Sequence, residues 1–303
     1  MILWGFASTR SRGVPWRFTF RVRTDGASPH PRVNFNCQLG NDSRHIPILI
    51  PAISYVIASV QRSGTHLLCS ILRGTGIAGS PAEHFLSKPG ETWEKRWGAS
   101  SRVAYVEHVL RQNTTAGGVF GTVVMWSYFE RMLRMLQEIP AYRNLNEAQL
   151  LAAVFQSPKY IWMRRRNRVE QAVSWAMACQ TGVWAQKAGE KPQLRAIPKF
   201  DFKVIDEWCN RIAAHEAGWT NYFRENEIEP LVLFYEDVVA SHRAAAEDIL
   251  KFLRLPFPTG IEIPAPAVEK QATPISEEWT ARYIKLKSKR TGRLARIIRR
   301  MRV

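Results

Sequence analysis

The sequence predicts an α/β fold in which a mostly parallel central sheet is flanked by helices and carries a P-loop-like turn. Three observations predict it. Short apolar runs alternate with longer stretches of helical periodicity, the pattern of a parallel sheet wound with helices. Two of those runs pass directly into a polar turn and then a helix. The 303 residues are 46% hydrophobic, enough to bury one sizeable core.

The first strand–turn–helix unit spans Tyr55 to Gly79. Val56, Ile57, Ala58 and Val60 make a compact apolar run of the kind found in buried parallel strands. Leu67, Leu68, Ile71 and Leu72 recur at helical spacing, and Gly76 is placed to end that helix. Between strand and helix lie Gln61, Arg62, Ser63, Gly64, Thr65 and His66. A glycine-bearing turn at a helix start directs free N–H groups and the positive dipole end toward one point. Arg62, Ser63 and Thr65 add a cation and hydroxyl donors, which makes a phosphate cradle. The pattern GxxxxGK[ST] is absent, so the lysine that bridges the outer phosphates of ATP or GTP is missing.

Residues 126–138 and 204–224 read as amphipathic helices. Between them lies a second strand–turn–helix unit. Tyr160, Ile161, Trp162 and Met163 make its strand, Asn167 is its N-cap, and Val169, Ala172, Val173, Ala176 and Met177 trace one helical face. Arg166 sits at the helix mouth and Ser174 about two turns further along, roughly 10 Å away, so both reach one phosphate lying against the helix flank. Arg164, Arg165, Arg166 and Arg168 otherwise read as a solvated basic rim, but consecutive like charges repel unless an anion meets them. A late strand, Leu231 to Tyr235, precedes Glu236 and Asp237, which read as helix-capping residues.

The QRSGTHLL turn and the Arg166…Ser174 pair together resemble the two nucleotide-binding elements of the PAPS-dependent sulfotransferase superfamily. The wording is similar to the bacterial trehalose 2-sulfotransferase branch: RSGTHLLCSILRGTGIAGSPAEHF resembles its RSGSTLL…LRATGVAG…PxEFF block, and QAVSWAMACQTGVW its QAVSxWRAxQTxVW block. FGTVVMW (Phe120 to Trp126), VLFYEDV and EEWTARY (Glu277 to Tyr283) match more weakly, so five blocks fall in order over roughly residues 50–285. The resemblance implies the sulfotransferase fold, 3'-phosphoadenosine 5'-phosphosulfate (PAPS) as sulfuryl donor, and PAP as product. It implies that Arg62, Ser63, Gly64 and Thr65 contact the 5'-phosphosulfate and that Arg166 and Ser174 contact the 3'-phosphate. Glu83 falls where the branch places its catalytic carboxylate, within reach of an acceptor hydroxyl whose proton it takes; His84 is the rival base. The acceptor it implies is a carbohydrate or glycolipid, trehalose-like, and no metal is required.

Two positions depart from the branch. His66 replaces a hydroxyl residue after Thr65, although an imidazole still donates to phosphate, and Val123 stands where the branch carries lysine. A relative that binds PAP with impaired catalysis therefore stays open, as does a P-loop nucleotide kinase. Of the tryptophans, Trp93, Trp97, Trp126, Trp175 and Trp184 include one or two that line an acceptor pocket, the rest being core. Lys270 and Gln271 are further nucleotide contacts.

The net charge of +17 tempts a nucleic-acid reading, but residues 1–50 carry +5 and residues 280–303 carry +10, leaving +2 for residues 51–279. Nucleic acid is therefore not expected as a partner. Residues 1–46 read as a poorly structured basic extension, 47–284 as the sulfotransferase domain, and 285–303 as a basic amphipathic tail that suits an anionic membrane surface. A homodimer is left open. Cys37, Cys69, Cys179 and Cys209 form no CxxC pair, and no secretory signal or long apolar span is legible. These features fit a cytoplasmic protein, with peripheral membrane contact as the variant.

Overall fold

The structure, a computed structural model, describes residues 18–22, 33–37, 51–86, 95, 98–185, 193–257 and 273–301, with backbone alone described for the two N-terminal strands and for 291–301. Trp93, Trp97, Lys270 and Gln271 lie outside the described residues. The chain divides into two units, Met1–Ile48 and Leu49–Val303.

In the first unit, β1 (Phe18–Val22) pairs antiparallel with β2 (Val33–Cys37), Phe18 opposite Cys37. Both strands fall in the stretch read from sequence as poorly structured. Each alternates apolar and polar residues over five positions, FTFRV and VNFNC, a period-two signal too short to stand out among the surrounding arginines and prolines.

The second unit is built on four parallel strands in the order β4-β3-β5-β6: β3 (Ile53–Ser59), β4 (Val119–Met125), β5 (Lys159–Arg164) and β6 (Leu231–Phe234). The central β3 and its neighbour β4 are almost wholly buried, which is why they read as continuous apolar runs rather than alternating ones. Helix α1 (Thr65–Gly74) and α2 (Arg102–Asn113) lie between β3 and β4; α3 (Trp126–Gln137) and α4 (Glu147–Phe155) lie between β4 and β5. Between β5 and β6 come α5 (Arg168–Thr181) and the long α6 (Phe202–Glu225). The chain then continues through α7 (Tyr235–Ala240), α8 (His242–Leu253) and α9 (Pro274–Met301).

The core joins β3, β4 and β5 to an aromatic cluster around Trp219, whose ring meets Trp126, Phe129 and Phe223 and whose indole N–H donates to the Ser59 carbonyl at 2.8 Å. Trp126 is thus a core residue. Helix α9 runs unbroken through residue 285, and its Trp279 and Tyr283 are buried, the latter donating to Asp206 at 2.6 Å. The chain leaves β3 for β4 on one side, while β5 lies on the other. Sheets of this kind bind ligands outside the carboxyl ends of the strands, at such a reversal. Ser59, Met125, Arg164 and Phe234 end their strands there, Ser59 pairing with both Met125 and Met163 and Arg164 pairing with Phe234.

Candidate functional site

A cleft of about 1920 Å³ opens at that end of the sheet. It is walled by the turn after β3, the loop carrying Glu83, the ends of β4 and β5, and one face each of α5 and α9.

The turn after β3 is tight and strained. Arg62 adopts a left-handed backbone (φ 66°) and Gly64 another (φ 90°), conformations that cost L-residues energy and mark functional turns. A Cβ at Gly64 would also overlap the Tyr235 ring, so only glycine fits. Helix α1 begins here with no side-chain cap and no acid in its first turn. Its leading N–H groups have no intrahelical acceptor and face the cleft side of the sheet with the positive dipole end. Gly64, Thr65 and His66 line the cleft. Ser63 does not: it is buried, and its hydroxyl pairs with that of Ser59 at 2.5 Å, so its side chain tightens the core while its backbone shapes the turn. The Gln171 amide donates to the Gln61 carbonyl at 2.7 Å, tying the turn to α5.

Arg62 reaches across the cleft. Its Nε donates to the Ser174 hydroxyl at 2.9 Å and its Nη1 to the Trp184 carbonyl. Burial, and then the nearby Arg165 charge, press its pKa below the usual arginine value. His66 is likewise held below the ordinary histidine value, first by burial and then by Arg62 and Arg73. The guanidinium groups of Arg62 and Arg165 are therefore close neighbours on the cleft.

Glu83 lies on the opposite wall, on a loop fixed by its carbonyl groups. The Tyr55 hydroxyl donates to Ala78 at 2.6 Å; its ring lies where a Cβ of Gly121 would otherwise sit. Arg73 donates to Pro81 at 3.0 Å, the Val123 N–H to Ala82 at 2.9 Å, and the Tyr105 hydroxyl to His84 at 2.6 Å. The residues on both sides of Glu83 are thus pinned to the sheet or to α2. The Glu83 carboxylate is a neighbour of Tyr128 and Cys69: burial first, with the Glu83 charge adding, raises Tyr128 well above the tyrosine range and Cys69 to about 12. His84 is buried, stacks against Phe120 at 5.9 Å, and its ring Nε2 lies 3.2 Å from the Ser80 carbonyl, the environment of a packing residue. Val123 presents an apolar side chain to the cleft where the resemblance expects a lysine.

The arginine run is held by four carboxylates, Glu216, Asp237, Glu236 and Glu170. Arg164 and Arg168 share the nearly buried Glu216 at 3.3 and 3.2 Å. Arg166 is exposed and makes a bidentate pair with Asp237, both bonds 2.7 Å. Its backbone N–H is taken by Glu236 at 3.1 Å, and Asn167 and Glu170 complete the cap of α5. Glu236 and Asp237 thus serve the mouth of α5 across space rather than the helix that they begin. Arg165 is the member that lines the cleft, with Ser174. The structure therefore brings Arg62, Gly64, Thr65, His66, Glu83 and Ser174 to one cleft and leaves Arg166 and the Ser63 side chain outside it. Arg165 and Tyr128 went unselected by motif reading. The triple arginine was visible, but no local signal says which member turns inward. Of the tryptophans, Trp175 and Trp184 line the cleft, Trp175 stacked on Trp208 at 4.4 Å.

Among the described residues no group of three or more His, Cys, Asp or Glu is placed to hold a metal ion, and no helix is long and apolar enough to cross a membrane.

Residues 54–285 match the family described as Stf0 sulphotransferase. The trehalose 2-sulfotransferase of Mycobacterium tuberculosis is 27% identical over 254 residues, covering 76% of this chain and 93% of that protein. Its Mycolicibacterium smegmatis counterpart is 26% identical over 262 residues, covering 76% and 94%. A solved sulfotransferase from Alicyclobacillus acidocaldarius is 14% identical and superposes with a TM-score of 0.43 over 77% of this chain and 92% of that one.

Proposed function

Because the chain belongs to the Stf0 sulphotransferase family, we propose that it moves a sulfuryl group from PAPS to a hydroxyl of a carbohydrate or glycolipid, with Glu83 as base. The observation that carries this reading is the uncapped start of α1, which faces the same cleft as Arg62 on one wall and Glu83 on the other. The chemistry of the donor set fits an anionic nucleotide: open helix N–H groups, a left-handed Arg62–Gly64 turn, and clustered guanidinium groups. PAPS, when bound, supplies a sulfuryl group whose bond to the phosphate breaks as a bond to the acceptor oxygen forms.

The chain's own residues divide the remaining work. The N–H groups of Gly64 and Thr65, with Arg62 and His66, hold the 5'-phosphosulfate and stabilise the negative charge that develops on the leaving nucleotide. Ser174 belongs to the 3'-phosphate side; Arg166 joins it only on release from Asp237. Glu83 orients the acceptor hydroxyl and accepts its proton, a contribution typically worth about 10²–10⁴ in rate. Trp184, exposed on the cleft wall, offers an aromatic face to a sugar, whereas Trp175 is buried against Trp208. That the relatives are named for trehalose supports a disaccharide as the first acceptor to try.

A PAP-binding protein with weakened transfer is the second reading, favoured by the apolar Val123 in the cleft wall. Calorimetric titration with PAP, ATP and AMP, followed by transfer from labelled PAPS to trehalose and trehalose glycolipids, separates the readings. Micromolar PAP binding with transfer supports the enzyme, and PAP binding without transfer to any hydroxyl supports the second reading. Tighter binding of ATP than of PAP overturns both.

A further inference from the structure

We infer that the far half of α9 docks on an anionic lipid membrane and sets the cleft beside that surface. This docking face is independent of the donor chemistry proposed above.

The first half of α9 is fixed to the body of the protein. Trp279 and Tyr283 are buried, and Leu286 packs against the core. The Tyr283 hydroxyl and the Lys287 ammonium both donate to Asp206, at 2.6 and 2.5 Å. Arg282 and Arg290 lie over the rings of Phe200 and Phe202, at 4.2 and 3.9 Å. Ser276, Glu277, Thr280, Ala281 and Ile284, at steps of one and three residues, form a second face that lines the cleft. One continuous helix thus joins the cleft wall to whatever its far end meets.

The far half, residues 291–301, continues that helix for about 16 Å. Two features point it at a lipid surface. The first is charge. Residues 279–303 hold ten Lys or Arg and no Asp or Glu. Cations so placed repel one another, and an anionic partner relieves the repulsion. The second is apolar periodicity. From Trp279, Tyr283 and Leu286, steps of three and four residues lead through Arg290 to Leu294, Ile297 and Met301. The seam that packs on the body is therefore continued by apolar residues in the far half, set among arginines. That is the make-up of a helix lying in the membrane interface, its apolar side toward the acyl chains and its guanidinium groups on lipid phosphates. Nucleic acid would use the arginines and leave the apolar seam without a role. A second copy would use the seam but set like charges against like. An anionic bilayer uses both.

Because the first half of the same helix walls the cleft, a membrane bound at the far half holds the cleft near the lipid headgroups. On the reading proposed above, this favours acceptor sugars carried on a lipid over free ones.

The test is sedimentation of the full chain with vesicles of phosphatidylcholine alone, and of phosphatidylcholine and phosphatidylglycerol in equal parts. The chain is expected to bind the mixed vesicles and not the neutral ones. Binding should fall as salt rises from about 0.15 M to about 1 M, where the screening length shrinks to about 3 Å. The triple variant Arg296→Gln, Arg299→Gln, Arg300→Gln is expected to bind roughly 100-fold more weakly, about fivefold for each lost charge. The double variant Ile297→Asn, Ile298→Asn is expected to lose about tenfold or more. Both variants should keep the wild-type melting temperature and PAP affinity, since none of these residues is among the described lining of the cleft. No binding of the full chain to mixed vesicles overturns the inference, and so does binding that survives the arginine substitutions. Tighter binding to duplex DNA than to mixed vesicles, lost in the arginine variant and kept in the isoleucine variant, overturns it in favour of nucleic acid. A dimer that the isoleucine variant abolishes, with no vesicle binding, overturns it in favour of a second copy. A chain that binds mixed vesicles but not PAP overturns the proposed function and leaves the membrane face standing.

Discussion

Glu83 is positioned by its neighbours rather than by its own backbone geometry. Ala82 and His84 each give their carbonyl to a buried donor, so the carboxylate is presented from a fixed segment. Glu83→Gln keeps that backbone and its shape but cannot accept the acceptor's proton. Turnover is expected to fall about 10²-fold or more, the usual weight of general-base help, with PAP affinity unchanged. Steady-state kinetics set beside PAP titration checks this, and normal turnover in the variant removes Glu83 as the base. His66 gives a pH signature. Its pKa is depressed by burial and by Arg62 and Arg73, so it is neutral at pH 7 in the free protein. A phosphate at α1 favours the imidazolium, so binding takes up a proton. As pH falls from about 8 to 6, toward the ordinary histidine value, the PAP affinity of wild type should rise relative to His66→Asn. Taking the ratio cancels the titration of the nucleotide's own phosphates. A ratio that is flat over this range, measured by calorimetry, places His66 away from the phosphate.

The two strand–turn–helix units differ in how their helices begin, and the difference decides which one is open to an anion. Helix α5 is closed by Asn167, Glu170 and Glu236, whereas α1 starts at Gly64 with no capping side chain. The conformation at Gly64 is therefore an element-scale property. Gly64→Ala forces an alanine into the left-handed region and its Cβ into Tyr235. A loss of about 2–5 kcal/mol is expected, from roughly 1–2 for the backbone and 1–3 for overpacking. At this chain length each kcal/mol lowers the melting temperature by about 2–4 °C. PAP binding should be lost along with it, because the same turn presents the first N–H groups of α1 to the cleft. A melting temperature equal to wild type would show that the turn relaxes freely.

Much of this level was legible from sequence. The apolar run at Val56 to Val60, the period of Leu67 to Leu72 and the cap at Asn167 are local signals; they locate β3 and α1 to within a few residues and the start of α5 at its cap. The fate of the arginine run was not legible, because its partners come from far along the chain. Glu216 lies 48 residues beyond Arg168, and Asp237 lies 71 beyond Arg166. Ser63 misled for the same reason: a hydroxyl in a phosphate turn reads as a donor, yet the close packing of β3 against β5 gives it to Ser59.

At the scale of the molecule, charge and site are separated along the chain. Every residue assigned to the cleft lies within Leu49–Val303, in the span that matches the family, and residues 51–279 carry a net charge of only +2. Nucleotide binding should therefore depend on a few guanidinium groups at short range and not on the field of the whole chain. At 0.15 M salt, charges further than about 8 Å from the ligand are largely screened. Removing residues 1–48 takes away a net charge of +5 and none of the described residues that line the cleft. PAP affinity at that ionic strength should then match that of the full chain within about twofold, since screened charges contribute well under 1 kcal/mol. The truncated chain should also keep a cooperative thermal transition, because its sheet and core lie within that unit. A tenfold loss of affinity with the transition intact would mean that the basic N-terminal unit reaches the nucleotide, and that the donor site is built from both units of the chain.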